Sequence, residues 1–415
     1  MKQTEIGLIP DDWEVKRLGD LCSFSNGVAH ESFVDENGEY ILVNSKYISS
    51  EGEVVKFSKK QLFPIQPNSV LMVMSDVPNG KAIAKCFLVP SKFKGTLNQR
   101  ICMFTDFKAN NEFIYRIIDR NNYYLAFDDG VKQTNLRKQD VLNCPIPLPP
   151  SVDEQQRIAK ALSDVDALIS TTEKLIQKKK NIKQGAMQNL LTGKKRLPGF
   201  GSQTKPPTYK QTELGPIPED WEVKNLGEIA ETFTGLTYSL ENVYEHGTLV
   251  LRSSNIKNEQ LCFEDNVFVQ MSIPERAFVK ENDILICVRN GSKALIGKSA
   301  IITKAAVGMA FGAFMTVLRS SIINQNYLLY IWQSDFVQKQ VTDNLGATIN
   351  QITNADFKKF NVIISPDKEE QTAIANVLSS MDKEIETLNA KLEKYRNLKT
   401  AMMQQLLTGK IRLVK

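Results

Sequence analysis

Two stretches of the chain place apolar residues at an alternating step of four and three. In residues 367–413 they are Ile374, Leu378, Met381, Ile385, Leu388, Leu392, Tyr395, Met402 and Leu406, interrupted at Lys399. In residues 151–197 the same phase gives Ile158, Leu162, Val165, Ile169, Thr172, Ile176, Ala186 and Leu190, interrupted at Lys179 and Lys183. A sustained 3.5-residue period predicts a coiled-coil seam on a long helix. Ser151 with Glu154, and Asp367 with Glu370, predict capping boxes at the helix starts. Pro149, Pro150 and Pro366 mark chain that is not yet helical, and Gly193 and Gly409 supply left-handed residues that end a helix. About 40 residues lie between these signals, or ~60 Å of helix. Both stripes are narrow, equally long and in the same phase, which predicts that they pair. Packing of each stripe on its own globular domain is the alternative.

The helices belong to a larger repeat. Residues 151–197 align without a gap to 367–413 at an offset of 216, with 21 of 47 positions identical. Residues 2–20 (KQTEIGLIPDDWEVKRLGD) return at 210–228 (KQTELGPIPEDWEVKNLGE) at an offset of 208, with 14 of 19 identical. The chain is a tandem duplication. It divides into a first globular domain (1–150), a helix (151–193), a Gly-, Pro- and Lys-rich linker with the restart (194–217), a second domain (218–366) and a second helix (367–415). Trp13 and Trp221 read as packing anchors at the domain entrances. Within the domains, Tyr40–Val43 matches Thr248–Leu251, and Ser69–Met74 matches Asp283–Val288, as short buried strands. Polar turns follow at Ser75–Lys81 and Arg289–Lys293, and further polar clusters lie at Gly130–Asp140 and Gly346–Asp356. The change of offset makes the second domain eight residues longer in its middle.

Composition narrows the function by exclusion. The chain is 42% hydrophobic and 24% charged, with a net charge of +5, so any basic footprint must be local. No apolar run approaches a membrane span, and the N-terminus lacks a signal-peptide core, which implies a cytoplasmic protein. Cys22, Cys86, Cys102, Cys144, Cys262 and Cys287 form no CxxC pair and read as reduced, buried thiols. His30 and His246 fall at non-equivalent places in the repeats. No HExxH, GxSxG, P-loop lysine or Asn/Asp-Pro-Pro methyl-transfer motif is present. A duplicated chain without a repeated catalytic constellation reads as a binder, with no metal site and no cofactor of its own.

The segments GLIPDDWEVKRLGDL and GPIPEDWEVKNLGEI, the junctions PIPLPPSVDEQQRIAKAL and ISPDKEEQTAIANVL, and the helix ends LLTGKKRL and LLTGKIRL carry a family resemblance. Together they resemble the specificity subunits of type I restriction-modification systems across essentially the whole chain. That resemblance implies an α+β protein: two α/β target recognition domains in tandem, joined by two long helices that form an antiparallel coiled coil. It implies that each domain reads one half of a bipartite double-stranded DNA sequence, while the helices space the domains and dock two modification (methyltransferase) subunits. Restriction (motor-nuclease) subunits join that core, and S-adenosylmethionine is bound by the modification subunits.

Base edges are read by polar and basic side chains on loops. The candidates for DNA contact in the first domain are Asn44, Ser45, Lys46, Asn79, Lys81, Gln133, Asn135 and Arg137. In the second they are Arg252, Ser253, Asn255, Arg289, Asn290, Lys293, Asn350 and Gln351. Residues 152–196 hold ten Lys/Arg against five Asp/Glu, an excess that reads as a solvated helix face past which the DNA spacer could run. A type II recognition subunit with a similar bipartite site, and a coiled-coil scaffold with two binding heads that do not bind DNA, remain open alternatives. The target bases and spacer length are not written in the sequence.

Overall fold

The computed structural model describes residues 1–78, 80–201, 208–345 and 350–414. The chain divides into two compact units, Met1–Glu173 with Lys391–Lys415, and Lys174–Ala390. Each unit therefore holds one globular domain and a part of each long helix, so the helix segments inferred from sequence are shared between units.

In the first unit, Glu14–Arg17 pairs antiparallel with Pro145–Leu148, tying the start of the domain to its end. The second unit repeats this with Glu222–Asn225 and Asn361–Ile364. Each domain is built on a four-stranded antiparallel sheet. Its order is Ser23–Asn26, Ile101–Thr105, Val70–Val73, Cys86–Leu88 in the first, and Glu231–Thr234, Met315–Arg319, Ile284–Cys287, Ser299–Ile301 in the second. The central pairings keep one register: Ile101 faces Val73, and Met315 faces Cys287, each pair shifted by 214. These central strands are buried on both faces, which explains their continuous apolar runs rather than alternation. A second sheet adds a parallel rung, Tyr40–Val43 beside Gly95–Leu97 and Thr248–Leu251 beside Ala310–Phe311.

The offset is 208 at Tyr40, 214 at Val70 and 216 at Pro145. Six of the eight extra residues thus lie between the two strand runs named from sequence, and two lie later. Two glycines hold their places by close approach. A Cβ on Gly27 would stand 2.1 Å from the Asn98 carbonyl oxygen, and one on Gly235 2.2 Å from that of Gly312.

The long helices run Val152–Leu190 and Lys368–Leu406, 39 residues each. Gly193 and Gly409 end them at φ of 67° and 70°. Glu154 and Glu370 depart from the sequence expectation. Asp367 accepts the backbone N–H of Glu370, but the carboxylates of both glutamates turn inward to arginines instead of closing capping boxes. Arg412 donates from Nε to Glu154 at 2.6 Å and from its terminal nitrogens to Asp12. Arg196 makes the same fork to Glu370 and Asp220, and Trp221 Nε1 adds a bond to Glu370. Gln155 and Gln371 next to them are buried, and each closes two backbone groups. Gln155 donates to the Pro149 carbonyl and accepts from Asn110 N; Gln371 donates to the Ser365 carbonyl and accepts from Asn324 N. Burying an amide with both of its ends satisfied fixes how each helix leaves its domain.

Every position of the two apolar stripes is buried or half-buried, including the lysines that interrupt them. In the first unit Lys399 pairs with Asp166 and Arg396 with Glu173; in the second Lys183 pairs with Asp382 and Lys179 with Glu384. Within each unit, rising numbers on one helix meet falling numbers on the other, so the helices run antiparallel. Near the helix starts the stripe also enters the domain core. Ile158 and Leu162 join Phe113 and Leu406, and Ile374 and Leu378 join Tyr327 and Leu190. Pairing and packing on the domain, set against each other in the sequence reading, are both present.

Candidate nucleic-acid interface

The polar turns meet at one end of each four-stranded sheet. In the first domain Thr134–Asn135 pairs with Ser75–Asp76, and Gln133 donates to Ser75 Oγ at 2.7 Å. In the second, Arg289 bridges Gln351 at the equivalent rung. Asn290 donates to Ser253 Oγ at 3.2 Å, and Asn350 donates to the Gly291 carbonyl at 3.1 Å. Three separate stretches of the second domain, around Ser253, Arg289 and Asn350, are therefore assembled into one surface.

The named candidates divide by what they already touch. Asn44 caps the helix Ser45–Ser49 by accepting from Tyr47 N, the Ser45 hydroxyl is buried without a partner among the described residues, and Lys46 is exposed. Lys81, Asn135 and Lys293 are exposed, while Asn79 lies outside the described residues. Arg137 is committed to Asp140 by two bonds of 2.9 and 3.0 Å, and that hydrogen bonding holds the Asp140 carboxyl below its ordinary range. Arg252 pairs with Asp265. Asn255 is 0% exposed, and its amide is spent on Arg252 N and on the carbonyls of Cys262 and Asp265. It holds a loop together and has no edge left for a base, so its selection as a reader fails on burial.

Two residues at this surface were missed in the sequence, Arg100 and Phe314. Each stands immediately before a central strand, and its carbonyl accepts the N–H of Met74 or Val288. The Arg289 guanidinium lies 5.1 Å from the centroid of the Phe314 ring. Apolar runs Ile101–Phe104 and Met315–Leu318 invite alignment, and extending it by one residue would have paired Arg100 with Phe314.

The histidines lie elsewhere. His30 is buried with ring nitrogens 2.7 Å from the Val28 carbonyl and 2.7 Å from Thr96 Oγ1, a structural position. Trp13 and Trp221 are fully buried, in agreement with their reading as anchors. Among the described residues no group of three His, Cys, Asp or Glu is placed to hold a metal, and no helix is long and apolar enough to cross a membrane.

A sequence model of the type I restriction modification DNA specificity domain matches residues 10–183 and 218–394, which is one match per repeat. The chain belongs to this family. The type I restriction enzyme MjaVIII specificity subunit of Methanocaldococcus jannaschii is 27% identical over 422 residues, covering 98% of this chain and 94% of that protein. The EcoKI specificity subunit of Escherichia coli is 28% identical over 204 residues, covering 48% of this chain and 44% of that protein. Among solved structures, the type I restriction-modification S subunit from M. genitalium superposes with a TM-score of 0.60 at 15% identity, covering 98% of both chains. A chain from a structure describing assembly and conformational transition of a type I system gives a TM-score of 0.54 at 18% identity, covering 97% of this chain and all of that one. The specificity-domain fold, two mixed α/β domains in tandem with two long helices, is thus the one the resemblance implied, and the tandem order of domain and helix is the one the repeats showed.

Proposed function

We propose that this chain is the DNA-reading specificity subunit of a type I restriction-modification complex and performs no chemistry itself. One observation carries the reading: in both repeats of a DNA specificity family, polar turns distant in sequence converge at the same end of the same sheet. Each domain reads one half of a bipartite duplex sequence through that end, with phosphates gripped by nearby lysines such as Lys46, Lys81 and Lys293. The antiparallel helices set the distance between half-sites and dock two modification subunits. Those subunits bind S-adenosylmethionine and transfer its methyl group, and restriction subunits join for cleavage.

The test is selection of bound duplexes from a random library, followed by a salt titration. A two-part sequence with a fixed gap should emerge, and log affinity should fall linearly with log salt as counterions leave the phosphates. A flat salt response with no selected sequence would favour a protein scaffold instead.

A further inference from the structure

The two domains carry an arginine on the same rung of the same sheet, but on opposite strands. Ser75 in the first domain stands where Arg289 stands in the second, and Arg100 stands where Phe314 stands; both correspondences keep the offset of 214. The surrounding bonds are the same. Met74 N donates to the Arg100 carbonyl as Val288 N does to that of Phe314, and Leu136 N donates to the Met74 carbonyl as Ile352 N does to that of Val288. The arginine has changed strands while its setting has not.

Both arginines are exposed, and among the described residues neither guanidinium has an ion pair or a hydrogen bond. Most other exposed arginines of the chain are engaged: Arg17 with Glu5, Arg137 with Asp140 and Arg396 with Glu173. Arg276 is also unpaired among the described residues, but residues 62–68, its counterparts in the first domain, contain no arginine. An unpaired guanidinium keeps its whole fork for a ligand. In the second domain the fork is also oriented. Phe314 is 55% exposed, a large apolar cost at a surface, and its ring sits beside Arg289. Stacking on an aromatic face limits the guanidinium to one plane while leaving its edge free.

We infer that Arg289 and Arg100 each read a guanine in the major groove, one per half-site, by a bidentate bond to O6 and N7, with Phe314 as the positioning residue for Arg289. The inference rests on the DNA-reading function proposed above. Guanine is the base whose major-groove edge offers two acceptors matched to the guanidinium fork. Because the arginine comes from opposite strands of the rung, the guanine is displaced within one half-site relative to the other, so the half-sites need not be copies.

The experiment uses the full-length chain co-expressed with its modification subunits, with bound duplexes selected from a random library. The wild type should show an invariant guanine in each half. Arg289→Lys keeps the charge and loses the fork, and it should relax selection at one position of one half only; Arg100→Lys should do the same in the other half. Replacing the selected guanine with 7-deazaguanine removes the N7 acceptor. It should weaken wild-type binding about tenfold and leave Arg289→Ala binding unchanged, the size of a good bidentate contact. Phe314→Leu should shrink the 7-deazaguanine effect without abolishing binding. Circular dichroism melts of each variant guard against unfolding, and the lysine variants alter too little volume to unfold the domain. If the wild type selects a sequence that Arg289→Lys and Arg289→Ala both leave intact, this inference is wrong and the reading function stands. If the wild type selects no sequence, the reading function itself fails.

Discussion

Lys183 Nζ lies 2.6 Å from a carboxylate oxygen of Asp382, with only 8% of the lysine side chain exposed. Adding 216 to one number and subtracting it from the other gives Lys399 and Asp166, which are paired at 2.7 Å in the other unit. Each aspartate has a second partner on its domain, Tyr330 for Asp382 and Arg116 for Asp166. The seam is interrupted by lysines in sequence because each reaches a carboxylate across the helix pair, an aspartate for Lys183 and Lys399 and Glu384 for Lys179. A polar group at a seam position specifies register at some expense of stability.

Asp382→Ala should therefore destabilise the second unit by about 1–3 kcal/mol, since Glu259 stays on the ammonium and only part of its partnership is lost. The charge swap Lys183→Asp with Asp382→Lys should recover part of that loss. Burial lowers the Lys183 pKa, but Glu259 and Asp382 more than reverse it, and the net shift is upward from 10.5. A raised folded value stabilises below the ordinary lysine range and is lost as pH climbs through the folded value. Urea melts from about pH 10 to 12 should show this alkaline loss in the wild type and a smaller one in Lys183→Met.

The chain ends meet in the first unit. Arg412 binds Asp12 and Glu154, and a Cβ on Gly409 would lie 2.5 Å from Pro10. Arg412→Ala leaves the Glu154 side chain, 2% exposed, without its cation, at a cost of about 3 kcal/mol. Hydrogen exchange should quicken in residues 1–20 and 150–165 and stay unchanged in 210–228. Equal acceleration in both units would show that the clamp does not act locally.

Leu378 is fully buried among Ile374, Tyr327 and Trp221, so a charge there damages the second domain as well as the seam. Ile176 is buried in the stripe yet belongs to none of the core clusters, which makes it the cleaner probe. Ile176→Asp should cost several kcal/mol at the helix pair and reduce co-purification with modification subunits while both domains keep their native exchange protection. Full recovery of the complex would mean that the stripe is not the docking support.

All six cysteines are free thiols. Burial pushes Cys22 up to about 12 and Cys144 up to about 11, and it raises Cys86 and Cys102 as well. At pH 8 the thiolate fraction at these sites is small, so iodoacetamide should label Cys262, which is half-exposed, ahead of all four. Peptide mass spectrometry after a timed pulse reads the order directly. Early labelling at Cys102 would mean that the first domain opens easily.

The repeats, the helix ends and the strand runs were legible because each rests on local chemistry: a 3.5-residue period, a left-handed glycine, a proline before a helix, a buried apolar run. The surface was legible only in outline. Ser75–Asp76 and Thr134–Asn135 are two-residue strands, too short to carry a period, and their pairing depends on the sheet beneath them. Asn255 looked like a reader because polar loop residues look alike until burial is known. Glu154 and Glu370 fitted a capping pattern, while their partners Arg412 and Arg196 lie 258 and 174 residues away.

The central claim is that two independent readers share one chain. Residues 218–366 should be replaced by the corresponding domain of another specificity subunit, and the recognised sequence determined by methylome sequencing in cells that also express the modification subunit. The account predicts that one half of the bipartite sequence changes while the other half is retained. A change in both halves, or in neither, would contradict it.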